Sequence, residues 1–65
     1  MNKTFYFEIT GENHKDCGYE FFVEAENIAE AMDIVEYDVG VDIKDVSYYG
    51  EISFEEAEMY GLDTY

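Results

Sequence analysis

The sequence predicts an α+β domain of two layers, in which one helix covers a three-stranded antiparallel sheet and a short C-terminal helical turn follows. Two early segments alternate apolar and polar side chains with a period of two residues, which is typical of strands with one buried face. A later segment repeats apolar residues at helical spacing. Because 65 residues can bury only one hydrophobic core, residues 1–65 are expected to form a single domain.

The first two predicted strands form a hairpin. Residues 4–10 and 19–25 both alternate, and the polar segment 11–18 between them is bounded by glycines. The side chains expected on the core face are Phe5, Phe7, Ile9, Tyr19, Phe21, Val23 and Ala25. Those expected on the opposite face are Tyr6, Glu8, Thr10, Glu20, Phe22 and Glu24. The hairpin is therefore expected to present carboxylates and aromatic rings together on a face that the helix leaves open.

A helix is predicted to follow the hairpin. Asn27 and Glu30 have the spacing of a capping box, and Gly40 supplies a C-terminal stop. The apolar side chains at helical spacing are Ile28, Ala31, Met32, Val35 and Val39. The solvent side is expected to carry the stripe Glu26, Glu30, Asp33 and Tyr37.

A third strand is predicted over residues 43–52. Val46, Tyr48 and Ile52 can share one face, although Ile43 is out of phase and Gly50 suggests a bulge. A right-handed crossover makes this strand parallel to the second strand, so placing it beside the first gives a fully antiparallel sheet in the order 2-1-3.

The chain is expected to end in a short acidic turn of helix. Ser53 and Glu56 form a second capping box, and Gly61 ends the helical segment, after which Leu62 can pack back.

The charge of the chain limits its partners. Seventeen residues are Asp or Glu, three are Lys and none is Arg, so the formal net charge is −14. Such a surface repels nucleic acid and anionic membranes and attracts basic proteins. We therefore expect a basic protein partner, no direct binding of nucleic acid and no membrane attachment. The single Cys17 and the lack of a signal-peptide pattern at the N-terminus favour the cytoplasm.

No sequence motif indicates a reaction, a metal or a cofactor. Asp38, Asp42 and Asp45 are closely spaced, but they do not match the alternating acids of an EF-hand. His14 and Cys17 share a turn with no second ligand pair for zinc. The expectation is a protein without enzymatic activity and without a cofactor.

Carboxylates in rows can imitate the phosphates of nucleic acid. Alternate residues of a strand lie roughly 6.8 Å apart on one face, and helix neighbours at i and i+3 or i+4 lie about 5–6 Å apart. An exposed ring beside a carboxylate can also stack on arginine. The expected phosphate surrogates are Glu8, Glu20, Glu24, Glu30, Asp33, Glu55, Glu56 and Glu58, and the expected anchors are Tyr6, Phe22 and Tyr60.

Two alternatives remain open at this point. The carboxylates can simply solvate a small domain, as charge runs usually do. Phe22 can be covered by the C-terminal segment, with Phe54 and Leu62 packed on the second face, and would then be no anchor.

In size and composition, a short acidic single domain without arginine resembles the DNA-mimic inhibitors of bacteriophages and mobile elements, including anti-restriction and anti-CRISPR proteins. The resemblance implies a protein of the bacterial host cytoplasm that blocks the basic nucleic-acid site of a nuclease or other DNA-binding protein. The alternative is a small phage or bacterial adaptor or regulatory protein that binds another basic surface. Self-association into a homodimer by strand-edge pairing also stays open.

Overall fold

The computed structural model describes residues 2–65, which form a four-stranded mixed sheet with a helix on each face. The strands are β1 (Lys3–Ile9), β2 (Glu20–Ala25), β3 (Val46–Ile52) and β4 (Asp63–Thr64). The helices are α1 (Ile28–Ile34) and α2 (Phe54–Tyr60), and a π-helical turn (Val35–Val39) and a 3₁₀ turn (Ile43–Asp45) separate α1 from β3. The order across the sheet is β3-β1-β2-β4.

The α+β class is confirmed, and the order of the first three strands agrees with the prediction. The prediction of a three-stranded, fully antiparallel sheet is wrong, because β4 adds a fourth strand that runs parallel to β2. The backbone N–H of Tyr65 donates to the Phe22 carbonyl at 2.9 Å, and the Glu24 N–H donates to the Tyr65 carbonyl at 2.8 Å. A strand of two residues is too short to show a periodic pattern in sequence.

The core lies between the sheet and α1, on the side called here the core face. Phe5 pairs with Val23 and Phe7 with Phe21 across β1 and β2, so the predicted alternation brings these side chains together. The buried cluster consists of Phe5, Phe7, Ile9, Phe21, Val23, Ala25, Ala31, Val35 and Val41. Each large apolar side chain buried in this way contributes about 1.5–3 kcal/mol to stability.

The predicted helix begins and ends where expected. The Glu30 N–H donates to Asn27 Oδ1 at 2.9 Å, and Glu30 Oε1 accepts from the Glu26 N–H at 3.1 Å. Gly40 ends the segment with φ of +82°, a conformation that glycine adopts without steric cost. Its N–H donates to the Val35 carbonyl at 3.0 Å, five residues back, which gives the last turn its π-helical width.

A bulge in β3 changes the face on which its side chains lie. Tyr6 pairs with Gly50 and Phe7 with Tyr48, so Tyr49 has no partner in β1. Gly50 has φ of +113°, which confirms the expected bulge. The alternation shifts at this point, so Ile52 pairs with Thr4 on the face opposite Tyr48. The expectation that Ile52 shares the face of Val46 and Tyr48 is therefore wrong.

The C-terminal helix α2 lies over the other side of the sheet, called here the second face. Ser53 caps it, with Oγ accepting from the Glu56 N–H at 3.2 Å, and Gly61 ends it with φ of +63°, as predicted. Tyr60, the last residue of α2, places its ring against Tyr6 and Phe22. Within residues 2–65, neither helix has the length and apolar character that a bilayer crossing requires.

Candidate functional site

The second face of the sheet carries carboxylates and rings in alternation. In the β1–β2 register, Glu8 pairs with Glu20, Tyr6 with Phe22 and Thr4 with Glu24. Paired residues in an antiparallel ladder have Cβ atoms about 4.5–5.5 Å apart. Glu8 and Glu20 are therefore two like charges placed directly opposite each other, as the alternation of both strands predicts.

Tyrosine hydroxyls bind these two carboxylates. Tyr6 donates a hydrogen bond to Glu20 Oε1, and Tyr49 donates one to Glu8 Oε1. Hydrogen bonds to a charged acceptor are stronger than neutral ones, so they offset part of the repulsion between the two acids. The bond to Glu20, followed by burial and nearby charges, raises the pKa of Tyr6 to about 12. The bond to Glu8 likewise raises the pKa of Tyr49. Both phenols are therefore neutral donors at ordinary pH.

Three tyrosine rings form a continuous line on this face, called here the aromatic row: Tyr49, Tyr6 and Tyr60. The Tyr6 ring centroid lies 5.1 Å from that of Tyr49 and 6.1 Å from that of Tyr60, with the Tyr6 and Tyr60 planes 22° apart. Tyr49 is 52% exposed and Tyr60 is 59% exposed. The row joins the β3 bulge to the end of α2, and its two ends are open to solvent.

Phe22 is not an exposed anchor, contrary to one of the two sequence interpretations. Its side chain is fully buried, with the rings of Tyr6 and Tyr60 at 5.4 and 6.2 Å. The reason is tertiary, since α2 folds back across the second face and sets Tyr60 over Phe22. The alternative that the C-terminal segment covers Phe22 is confirmed, although Phe54 remains 64% exposed and Tyr60 supplies the covering ring.

The outer surface of α2 is acidic and apolar at once. Glu55, Glu56 and Glu58 are exposed, as the predicted helical segment requires. Met59 is 86% exposed. Glu56, Met59 and Tyr60 line a shallow depression of about 270 Å³. The surface of α2 thus extends the acidic second face outward.

The structure divides the predicted site residues between two sides of the sheet. Glu30 and Asp33 belong to α1, on the core-face side, where Glu30 is engaged in the helix cap and Asp33 is exposed. The residues brought to the second face or to α2 above it are Glu8, Glu20, Glu24, Glu55, Glu56, Glu58, Tyr6 and Tyr60. The second face is therefore the larger candidate surface.

Tyr49 and Met59 are part of this surface but are not among the predicted site residues. Gly50 was an indication for Tyr49, because a bulge at this glycine lets a neighbouring residue depart from the alternation of faces along the strand. For Met59, the one indication in the sequence was its position on the outer side of a short helix.

In the part of the chain that the structure describes, the Cys17 turn and the remaining acids form no recognisable chemical centre. Cys17 is exposed, and His14 Nδ1 accepts from the Asp16 N–H at 3.0 Å within the same turn. Among residues 2–65, no three side chains of His, Cys, Asp or Glu are grouped so that they could hold a metal ion.

The chain matches no protein-family model, no curated protein and no solved structure. Its function is therefore inferred from the arrangement of its own residues.

Proposed function

We propose that this chain mimics nucleic acid and blocks the basic DNA- or RNA-binding site of a nuclease or other DNA-binding protein, in the manner of anti-CRISPR and anti-restriction inhibitors. The observation that supports this most is charge per unit length. The net charge of −14 is spread over a fold 33 Å long, or about one charge per 2.4 Å. Duplex DNA carries one charge per about 1.7 Å of axis. A site built for DNA would therefore meet a comparable density of negative charge.

The near absence of positive charge supports the same function. Three lysines can compensate at most three of the seventeen acids. A surface that is acidic only for solubility usually interleaves both signs and needs a net charge of about 2–8 in magnitude. The second face adds Glu8 and Glu20 as directly opposed carboxylates, an arrangement that folding disfavours and a basic partner would relieve.

Competition with DNA tests the proposal. The full chain, used as bait in a bacterial lysate, should retain a DNA-binding protein, and a short DNA duplex should displace that protein from the chain. The complex should weaken steeply as salt rises from low to physiological concentration, because exposed charges are screened within about 8–10 Å. A stable ternary complex of target, duplex and chain would contradict mimicry.

Two charge-matched variants locate the contact. Glu55→Lys/Glu58→Lys changes α2, whereas Asp33→Lys/Glu36→Lys changes α1 and the π-helical turn after it, and each raises the net charge by four at exposed positions. Loss of association in the first variant alone places the target on the α2 side, and equal loss in both places it around the whole domain. Unchanged association in both variants would contradict a charge-based contact.

A second candidate is an adaptor or regulatory protein that binds a basic surface without mimicry. The exposed apolar side chains of α2, Met59 above all, favour it, because imitation of phosphates does not require them. In that case the complex would still weaken with salt, because the partner surface is basic, but DNA would not displace the partner. Either role would operate in the cytoplasm of a bacterial host cell, where such basic proteins act.

A further inference from the structure

The aromatic row and the carboxylates of Glu8 and Glu20 form one patch, in which some carboxylate oxygens can still accept hydrogen bonds. The hydroxyls of Tyr6 and Tyr49 both bind Oε1 of their glutamates. Within residues 2–65, Oε2 of Glu8 and Oε2 of Glu20 accept no hydrogen bond from another side chain. A carboxylate offers about four acceptor positions, so each glutamate can still receive a donor from outside. The two rings packed against that of Tyr6, those of Tyr49 and Tyr60, expose more than half of their surface.

We propose that this patch is an arginine-binding surface, which takes the guanidinium groups of a basic partner in preference to lysine ammonium groups. The proposal deepens the proposed function and rests on it only in that the partner is a basic protein. A guanidinium is planar, stacks on aromatic faces and donates two parallel hydrogen bonds to one carboxylate. An ammonium is a compact, strongly hydrated charge that gains less from the rings.

The hydrogen bonds within the patch favour the binding of a cation to its aromatic rings. A phenol that donates to a carboxylate gains electron density in its ring, and a richer ring attracts a cation over its face more strongly. The same bonds hold Tyr6 and Tyr49 in place before the partner arrives, so less side-chain freedom is lost on binding. The phenols are uncharged at neutral pH, and the raised pKa of both extends the neutral range further into alkaline solution.

Tyr37 provides an internal comparison. It is 75% exposed on the π-helical turn, and its sequence neighbours Glu36 and Asp38 are also exposed. It therefore has acidic surroundings similar to those of the aromatic row. It has no hydrogen bond to a carboxylate and no stacked ring among the described residues, and these are the two features to which we ascribe arginine preference.

The test is an NMR titration of the full chain with two synthetic peptides of equal length and charge, one alternating arginine with glycine and the other lysine with glycine. The arginine peptide should bind more tightly by up to roughly 5-fold for each ring it contacts, because the full energy of an exposed cation–π pair is the upper limit of the difference between the two cations. Its shift changes should centre on Tyr6, Glu8, Glu20, Tyr49 and Tyr60. Equal affinities for the two peptides, or shift changes centred on α1, would overturn the proposal.

Single substitutions separate the rings from the charge. Tyr49→Leu and Tyr60→Leu should each reduce the affinity for the arginine peptide by roughly 2- to 5-fold and reduce that for the lysine peptide by a smaller factor. Tyr37→Leu should change neither. Tyr60→Phe keeps a ring over Phe22 and should keep the arginine preference, so it serves as the reference if Tyr60→Leu disturbs the fold. Retention of the preference in both Leu variants would refute the role of the row.

The outcome can be told apart from that of the proposed function. If duplex DNA fails to displace the natural target but the arginine preference is present, mimicry fails and the arginine-binding surface stands. If duplex DNA competes but the two peptides bind equally, only the arginine-binding surface is refuted.

Discussion

Replacement of Phe22 by alanine tests how the second face is closed. Phe22 is fully buried, with the Tyr6 ring at 5.4 Å and the Tyr60 ring at 6.2 Å. Truncation of a buried phenylalanine to alanine usually costs about 3–5 kcal/mol, from lost burial and the remaining cavity. At about 0.05–0.15 kcal/mol per residue, the whole 65-residue domain is stabilised by roughly 3–10 kcal/mol. Phe22→Ala should therefore remove roughly 30% or more of the stability.

Urea unfolding followed by far-ultraviolet circular dichroism measures this loss. Phe21→Ala, on the core face, should cost a similar amount, whereas Phe54→Ala, at a largely exposed position, should cost about 0.5 kcal/mol or less. Phe22→Leu keeps most of the apolar volume and should cost less than about 1.5 kcal/mol, which keeps the measurement possible if the alanine variant does not fold. If Phe22→Ala costs no more than Phe54→Ala, then α2 does not cover the second face, and the position of Tyr60 in the aromatic row is wrong.

Three further predictions follow from charge, titration and backbone conformation. Added sodium chloride should raise the melting temperature, because it screens repulsion among the excess acids; a melting temperature that does not change with salt would show that these charges are too far apart to repel. Stability should fall as pH rises from about 10 to about 12: the folded state raises the pKa of Tyr6 to about 12 from 10.0, so the stability linked to its neutral form is complete below pH 10 and is lost through that window. In Tyr6→Phe, the stability measured by circular dichroism should fall less over the same pH range. A fall equal to that of the unsubstituted protein would count against the Tyr6–Glu20 hydrogen bond. Gly50→Ala should cost about 1–3 kcal/mol in urea unfolding because φ is +113° there, whereas Glu51→Ala beside it should be nearly neutral; equal costs would mean that β3 can straighten.

Local patterns were enough to predict most of the fold. Alternation placed Phe5, Phe7, Phe21 and Val23 on one face, and the cap at Asn27 marked the start of α1. These features depend on neighbours within a few residues along the chain, which the sequence displays directly. The π-helical turn and the position of β4 depend on contacts made after the chain has folded back.

The candidate site was predicted less completely, and Phe22 and Tyr49 show why. The alternation predicted the correct face for Phe22. The burial of Phe22, however, depends on where α2 lies, and no periodic pattern in the sequence predicts that position. Tyr49 joined the site because of one extra residue in β3. A change of one residue in register moves a side chain to the other face of a sheet, so a bulge suspected from Gly50 could not be converted into a role for its neighbour.

The order of the sheet also affects how molecules of this protein meet one another. An unpaired strand edge is a template on which another chain can add a strand. Here one edge strand of the sheet is β4, which is only two residues long. The other is β3, whose pairing with β1 is interrupted at Tyr49 and which carries the carboxylate of Glu51 two residues later. Neither edge strand offers a long, flat row of free backbone groups. Two copies would also each carry a net charge of −14. Strand addition between two copies would therefore have to use a short or an interrupted edge and overcome strong charge repulsion.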